Sequence, residues 1–246
     1  MKECYLVEKR KKAAGFVQIF LKNESSFKFV PGQFFTLSRP GQKQTKSLPA
    51  TSPPDKYLIE FLLPKNTPSW LYNLKGEDGV FLEGPFGNGW PILGMEKKNL
   101  LLMAEEEEMA GFASLIEYIV QKRKRFQKVT LIYKSSNPDL IFFKERFRRW
   151  QQHMTIYQIS PSTKTKVGQW PRSFSLLLDQ LQPNPENYLI FLAGNPLFYK
   201  KIILDFFSYG FDVQDISIYD FDFKDDEGPV FQYGEKYSPP KIIKIV

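Results

Sequence analysis

The chain has 246 residues, enough for two modest domains or one large one with a substantial core. Its one cysteine (Cys4) and one histidine (His153) exclude a disulfide framework, a cysteine–histidine metal cage and an iron–sulfur cluster held by this chain alone. The net charge of +7 is moderate, the N-terminal stretch has no apolar segment of signal-peptide type, and no apolar run approaches the ~20 residues of a membrane span, so a soluble, cytoplasmic protein without a membrane span is expected.

The first 95 residues predict strands and turns. Segments 15–21, 33–39, 56–63 and 79–84 are short, rich in aromatic or β-branched residues, and bounded by Pro, Gly, Asn or Asp. Tyr57, Ile59, Phe61 and Leu63 alternate along one of them. One helical turn interrupts at "NTPSWLYNLKGED", where Thr67 is the expected cap, Pro68 the first helical residue and Gly76 the stop. Short antiparallel strands with one helical excursion imply a small β-barrel.

From residue 99 onward, strands alternate with helices. "NLLLMA" leads into a helix near 106–122 with Met109, Phe112, Leu115, Ile116 and Ile119 on one face. "KVTLIYK" precedes a helix in which Asn137 caps and Pro138 comes first. "MTIYQIS", a helix near 171–181, and "YLIFLAG" follow. A helix capped by Asn195, opened by Pro196 and stopped at Gly210 comes next, and then "QDISIYDF". Such alternation implies a parallel sheet, whose ligands bind at the carboxyl ends of its strands: Ala104–Glu108, Lys134–Asn137 and Ala193–Pro196. The basic runs 121–128 and 144–150 are best explained as helix C-termini, where cations complement the dipole, so no nucleic-acid role is expected. His153, between a helix and a strand, is a surface or core residue rather than part of a triad.

Four segments in this order resemble the ferredoxin–NADP reductase superfamily. They are "PGQFFTLSRP", "GEDGVFLEGPFGNGW", "LLLMA" with "MAGFASLIEYI", and "IFLAGNPLFYKKIILDFFSYGF". Within it, the chain is most similar to the electron-transfer subunits of dihydroorotate dehydrogenase, sulfite reductase and cytoplasmic hydrogenase. In those, a cysteine cluster precedes a Gly-Pro-Val-Phe segment, and "DDEGPVFQYGE" stands at that place here. The resemblance implies a barrel-type FAD-binding-like domain (1–96), an α/β NAD(P)-binding-like domain (97–220) and a tail (221–246) replacing the iron–sulfur segment.

The resemblance also locates departures. Where the superfamily has an Arg-x-Tyr-Ser strand against the flavin, this chain has Lys46, Ser47, Leu48 and Pro49. Lysine keeps the charge but not the bidentate fork, and proline has no backbone donor. Thr67 and Ser69 lie near the expected flavin-phosphate threonine. Where the superfamily has Gly-Gly-x-Gly for the dinucleotide, this chain has Glu105, Glu106, Glu107 and Glu108. Each carboxylate near a diphosphate costs about 3 kcal/mol at ~5 Å and an effective dielectric near 20, before screening. The Cys-Gly-Pro-Pro turn is matched by Ala193, Gly194, Asn195 and Pro196, without the thiol.

Two readings follow. The favoured one is a degenerate electron-transfer subunit, not itself an enzyme, that has given up NAD(P) and the iron–sulfur cluster and acts structurally or as a regulator with a protein partner in a redox complex. The alternative is a working flavoprotein oxidoreductase holding FAD at the barrel, with or without NAD(P)H. A hard-cation site of Glu105–Glu108 with Asp225, Asp226 and Glu227 is disfavoured, because successive helical residues do not face one point. The tail 219–246 is the candidate docking arm.

Overall fold

The computed structural model describes residues 2–12, 15–76, 78–136, 141–159, 172–219 and 230–232. It contains two compact units, one built from Met1–Trp90 with Ala110–Lys122, the other from Pro91–Met109 with Arg123–Phe221.

The first unit carries six antiparallel strands: β1 (Lys2–Lys11), β2 (Val17–Phe27), β3 (Phe34–Ser38), β4 (Lys46–Pro49), β5 (Lys56–Leu63) and β6 (Gly79–Phe86). Their order is β4-β3-β6-β1-β2-β5, a barrel-like sheet whose edges β4 and β5 are not hydrogen-bonded to each other. Cys4, Leu6, Val17, Ile19, Leu21, Phe35, Leu37, Ile59, Phe61, Val80 and Leu82 fill its interior. Phe35 stands edge-on to Phe27, Phe29 and Phe61, the geometry favoured by aromatic quadrupoles.

The sequence reading gives no element to residues 2–11, yet β1 lies there, between β2 and β6. Its alternation is short: Cys4 and Leu6 are buried while Tyr5 and Val7 are exposed. The pairing then slips between Leu6 and Glu8, and charged residues follow. The bulge breaks the period that would have announced a strand.

The expected cap at Thr67 is not formed. Helix α1 (Ser69–Tyr72) has Pro68 at its cap position and no side-chain cap bond. Thr67 instead closes a turn, its N–H donating to Pro64 O at 3.1 Å.

The second sheet contains β7 (Asn99–Glu105), β8 (Val129–Lys134), β9 (Thr155–Ile159), β10 (Tyr188–Ala193), β11 (Ile216–Tyr219) and β12 (Val230–Gln232). Its order is β12-β11-β10-β7-β8-β9, and the pairs from β11 to β9 are parallel. β7 is buried at every position between its ends, as suits a strand with neighbours on both sides. The chain winds outward from β7 to β9, then returns to place β10 on the other side of β7. A topological switch point therefore lies at the carboxyl ends of β7 and β10.

Helices α3 (Ala110–Gln121), α4 (Lys144–Trp150), α5 (Arg172–Leu181) and α6 (Pro196–Ser208) connect these strands, and a single turn, α2 (Ile92–Met95), precedes β7. The five residues expected on the apolar face of the first long helix are all 0% exposed. That helix starts later than its periodicity suggests: Glu106–Met109 form a 3-10 turn, with Glu106 at φ 50°. The left-handed residue prevents α-helical geometry from reaching back to the strand. Asn195 caps α6 as expected, and Gly210 follows its end at φ 87°. Asn137 and Pro138, the cation candidates Asp225, Asp226 and Glu227, and nearly all of the tail lie outside the described residues.

Candidate functional site at the switch point

The site is assembled by three strand ends. Glu105 is the last residue of β7, Lys134 the last of β8, and Asn195 follows β10 by one residue beyond Gly194. Parallel pairing sets Glu105 opposite Lys134 and Ala104 opposite Ala193. Register alone thus brings the three side chains to one edge.

Glu105 bridges them. Its Oε1 lies 2.5 Å from Lys134 Nζ, and its Oε2 accepts from Asn195 Nδ2 at 2.9 Å. The Lys134 and Glu105 side chains are only 7% and 13% exposed, so water screens this pair weakly. Glu106 turns to the β8 side: Oε1 accepts the Ser136 backbone N–H, and Oε2 lies 3.5 Å from Ser135 Oγ. Asn195 Oδ1 accepts from Leu197 N and Phe198 N at 2.9 and 3.1 Å. The first amides of α6, where an anion would be drawn by the helix dipole, already have an acceptor. Pro196 contributes no N–H.

Glu108 is partly buried beside this edge. Loss of hydration raises its carboxyl pKa to about 8, and the charge of Glu107, then those of Glu105 and Glu106, act in the same direction. Gly194, the retained glycine of the turn, has a packing reason: a Cβ there would come within 2.8 Å of Phe198 Cγ. The sequence placed Glu105–Glu108, Lys134–Asn137, Gly194, Asn195 and Pro196 at strand ends, but not the bonds that Lys134 and Ser136 make to Glu105 and Glu106. A lysine closing the otherwise apolar "VTLIYK" is the signal that could have revealed the first.

Carboxylates of the chain itself hold Lys134 Nζ, Ser136 N and Asn195 Nδ2, and the Asn195 carboxamide holds the first amides of α6.

The barrel corner is different. Lys46 Nζ reaches Asn66 Oδ1 at 3.3 Å, next to Thr67, whose hydroxyl is buried without a hydrogen-bond partner. Ser69 is exposed at the start of α1. Ser47 Oγ pairs with Thr36 Oγ1 at 2.9 Å, while Leu48 is 0% exposed within the barrel core. Pro49 is buried opposite Phe34. Lys46 and Thr67 suit the phosphate end of a flavin nucleotide. The ring end fits less well: Leu48 is committed to the core, Pro49 has no N–H, and the Ala50 N–H is engaged by Gln33 O at 3.4 Å.

The retained segments "PGQF" and "GPFGNGW" are locked to each other. Gln33 Nε2 donates to Gly87 O at 2.6 Å, and Trp90 N donates to Pro31 O at 2.7 Å. Gly89 has φ 69°, and a Cβ there would lie 2.9 Å from Pro31 O. Trp90 stacks on Phe112 at 5.0 Å and donates to Gly111 O at 2.9 Å. Folding alone accounts for these residues.

No protein-family model matches the chain. It is 27% identical over 201 residues to the sulfhydrogenase 1 subunit gamma of Pyrococcus furiosus, covering 77% of this chain and 67% of that protein. It is 28% identical over 138 residues to the sulfhydrogenase 2 subunit gamma of the same organism, covering 54% of this chain and 47% of that one. Among solved structures it resembles a ferredoxin NADP+ reductase from Neisseria gonorrhoeae with bound FAD and NADP. The TM-score is 0.72 at 18% identity, over 88% of this chain and 96% of that one. The chain therefore has the two-domain ferredoxin–NADP reductase-type fold and is similar in sequence to sulfhydrogenase gamma subunits.

Proposed function

We propose that the chain is a degenerate ferredoxin–NADP reductase-type subunit of a cytoplasmic redox complex. It no longer uses NAD(P), carries no iron–sulfur cluster and serves its protein partners structurally or as a regulator. The functional division is a barrel of residues 1–96, a parallel-sheet domain of 97–220 and a tail of 221–246. The observation that carries this reading is Glu105, which joins Lys134 and Asn195 across the switch point. An anionic side chain from within the chain takes the place a dinucleotide phosphate would need. The similarity to sulfhydrogenase gamma subunits supports a partner-bound role.

The test is calorimetric titration of the purified protein with NADH and NADPH. No heat of binding is expected, and micromolar affinity for either would overturn the reading.

The alternative, a flavoprotein oxidoreductase, draws on one observation: the buried, unpartnered Thr67 hydroxyl, next in sequence to Asn66, which Lys46 reaches. Flavin absorption in the protein as isolated would support it, provided the absorption is lost in Lys46→Ala. A colourless folded protein that takes up no added FAD would remove it.

A further inference from the structure

The basic residues are segregated. Residues 121–128 and 144–150 hold nine basic side chains and one acidic one, against a net charge of +7 for the whole chain. The remainder is therefore close to neutral.

The fold brings the two runs together. Arg123 Nε donates to His153 O at 2.6 Å, and its Nη1 donates to Phe126 O at 2.6 Å. His153 lies between α4 and β9, and Lys128 immediately precedes β8. β8 and β9 are parallel neighbours, with Thr130 opposite Thr155. Lys128 also meets the start of β7, its N–H donating to Asn99 Oδ1 at 3.2 Å and its carbonyl accepting from Leu100 N at 2.8 Å. Lys97, Lys124, Lys128, Arg148 and Arg149 are exposed around this amino-terminal edge. The glutamates of the switch point occupy the carboxyl edge of the same sheet. The basic character of the amino-terminal edge is thus confined to its β7–β8–β9 side, where Glu96 pairs with Arg125, whereas Glu186, Asp212 and Asp215 lie before β10 and β11.

Helix dipoles account for Arg148 and Arg149, in the last turn of α4. They do not account for Lys128, which immediately precedes a strand. The aromatic residues of the region are buried: Phe126 at 5%, Phe147 at 8% and Trp150 at 0% exposure. No ring among them can stack on a base or anchor in a lipid headgroup layer. What is left is a surface of cations on well-tethered backbone. Such a surface selects a partner by charge complementarity.

We propose that the amino-terminal edge of the parallel sheet is a docking surface for an acidic face of a partner protein. It lies at the opposite end of the sheet from the switch point, so it stands or falls independently of the nucleotide reading.

The experiment measures anisotropy of a labelled polyglutamate peptide with three full-length proteins: the natural chain, a Lys97→Glu, Lys124→Glu, Lys128→Glu, Arg148→Glu variant, and a control with Lys11→Glu, Lys28→Glu, Lys43→Glu and Lys56→Glu. Both variants reverse four exposed charges, so they differ only in where the charges lie. The edge variant is expected to lose about tenfold or more in affinity, and the control about threefold or less. Equal losses in the two variants would overturn the proposal. So would edge-dependent binding of a single-stranded oligonucleotide or of phosphatidylserine vesicles tighter than that of the peptide. Edge-dependent self-association in sedimentation would overturn it as well, by making a second copy the occupant. If the edge variant fails to fold, neutralisation of the same four residues to Gln carries the test with the same outcomes.

Discussion

Asn195 Nδ2 donates to Glu105 Oε2 at 2.9 Å while Asn195 Oδ1 receives the first amides of α6. The two halves of one amide thus serve different elements: nitrogen faces the end of β7, and oxygen faces the helix. Glu105 selects the amide orientation that caps the helix, because the reversed amide would set oxygen against carboxylate. The helix cap and the closed switch point are therefore one arrangement.

Asn195→Ala removes both contacts. It is expected to cost about 1–2 kcal/mol, read as a fall of about 2–8 °C in Tm. Asn195→Asp keeps a capping oxygen but sets a second carboxylate against Glu105. Its deficit relative to the natural protein is expected to shrink in a Glu105→Gln background, where the facing carboxylate is gone. Thermal unfolding of the single and double variants checks the difference. An equal deficit in both backgrounds would mean that Glu105 does not sense residue 195.

Glu108 gives a pH signature of opposite sign to an ordinary ion-paired carboxylate. Its carboxyl is raised from 4.5 to about 8. Below 4.5 it is protonated in both folded and unfolded chains and has no effect on stability. Between 4.5 and about 8 only the folded chain retains the proton, so stability falls as pH rises through this window, and above about 8 the loss is complete. Glu108→Gln, which keeps shape without charge, is expected to unfold like the natural protein near pH 4.5 and about 3–6 °C above it in the alkaline range. Parallel melting curves from pH 4 upward would show no divergence if Glu108 ionised normally.

At Gly194 the constraint is space. A methyl group would be driven into Phe198, which is 5% exposed against the core of the second sheet. Gly194→Ala is expected to destabilise by about 1–3 kcal/mol. Adding Phe198→Leu should recover part of the loss. An alanine variant as stable as the natural protein would show that the ring moves freely.

Trp90 is 1% exposed, stacked on Phe112 and hydrogen-bonded to Gly111 O. Trp90→Ala is expected to cost about 3–5 kcal/mol. Trp90→Phe, which retains the stack but loses the N–H, should cost about 1–3 kcal/mol. Denaturant unfolding distinguishes the two, and similar values would place the loss in the hydrogen bond rather than in packing.

Much of the fold was legible because its signals are local. β5 spans Lys56–Leu63 where a strand was expected, although its burial does not alternate: Tyr57 is 59% exposed and Ile59 to Leu63 are all buried; α6 begins at an Asn-Pro pair with the side-chain bonds that pair implies. β1 was not legible, because a bulge between Leu6 and Glu8 and a charged end hide its period. The cap at Thr67 failed for a related reason: a short turn at Pro64 captured its backbone, and nothing in "NTPSW" alone decides between the two.

The sequence by itself determined which residues reach the carboxyl ends of the strands, since hydrophobic period and capping residues say where each element stops. It also placed a charge run where the superfamily it resembles has glycines. Only the tertiary structure decided what those charges meet. Lys134 is 29 residues from Glu105 and Asn195 is 90 residues away, and parallel pairing through β7 is what sets all three at one edge. Strand register is a collective property of the sheet. No local pattern carries it, so the partners of Glu105 appear only once the strands have paired.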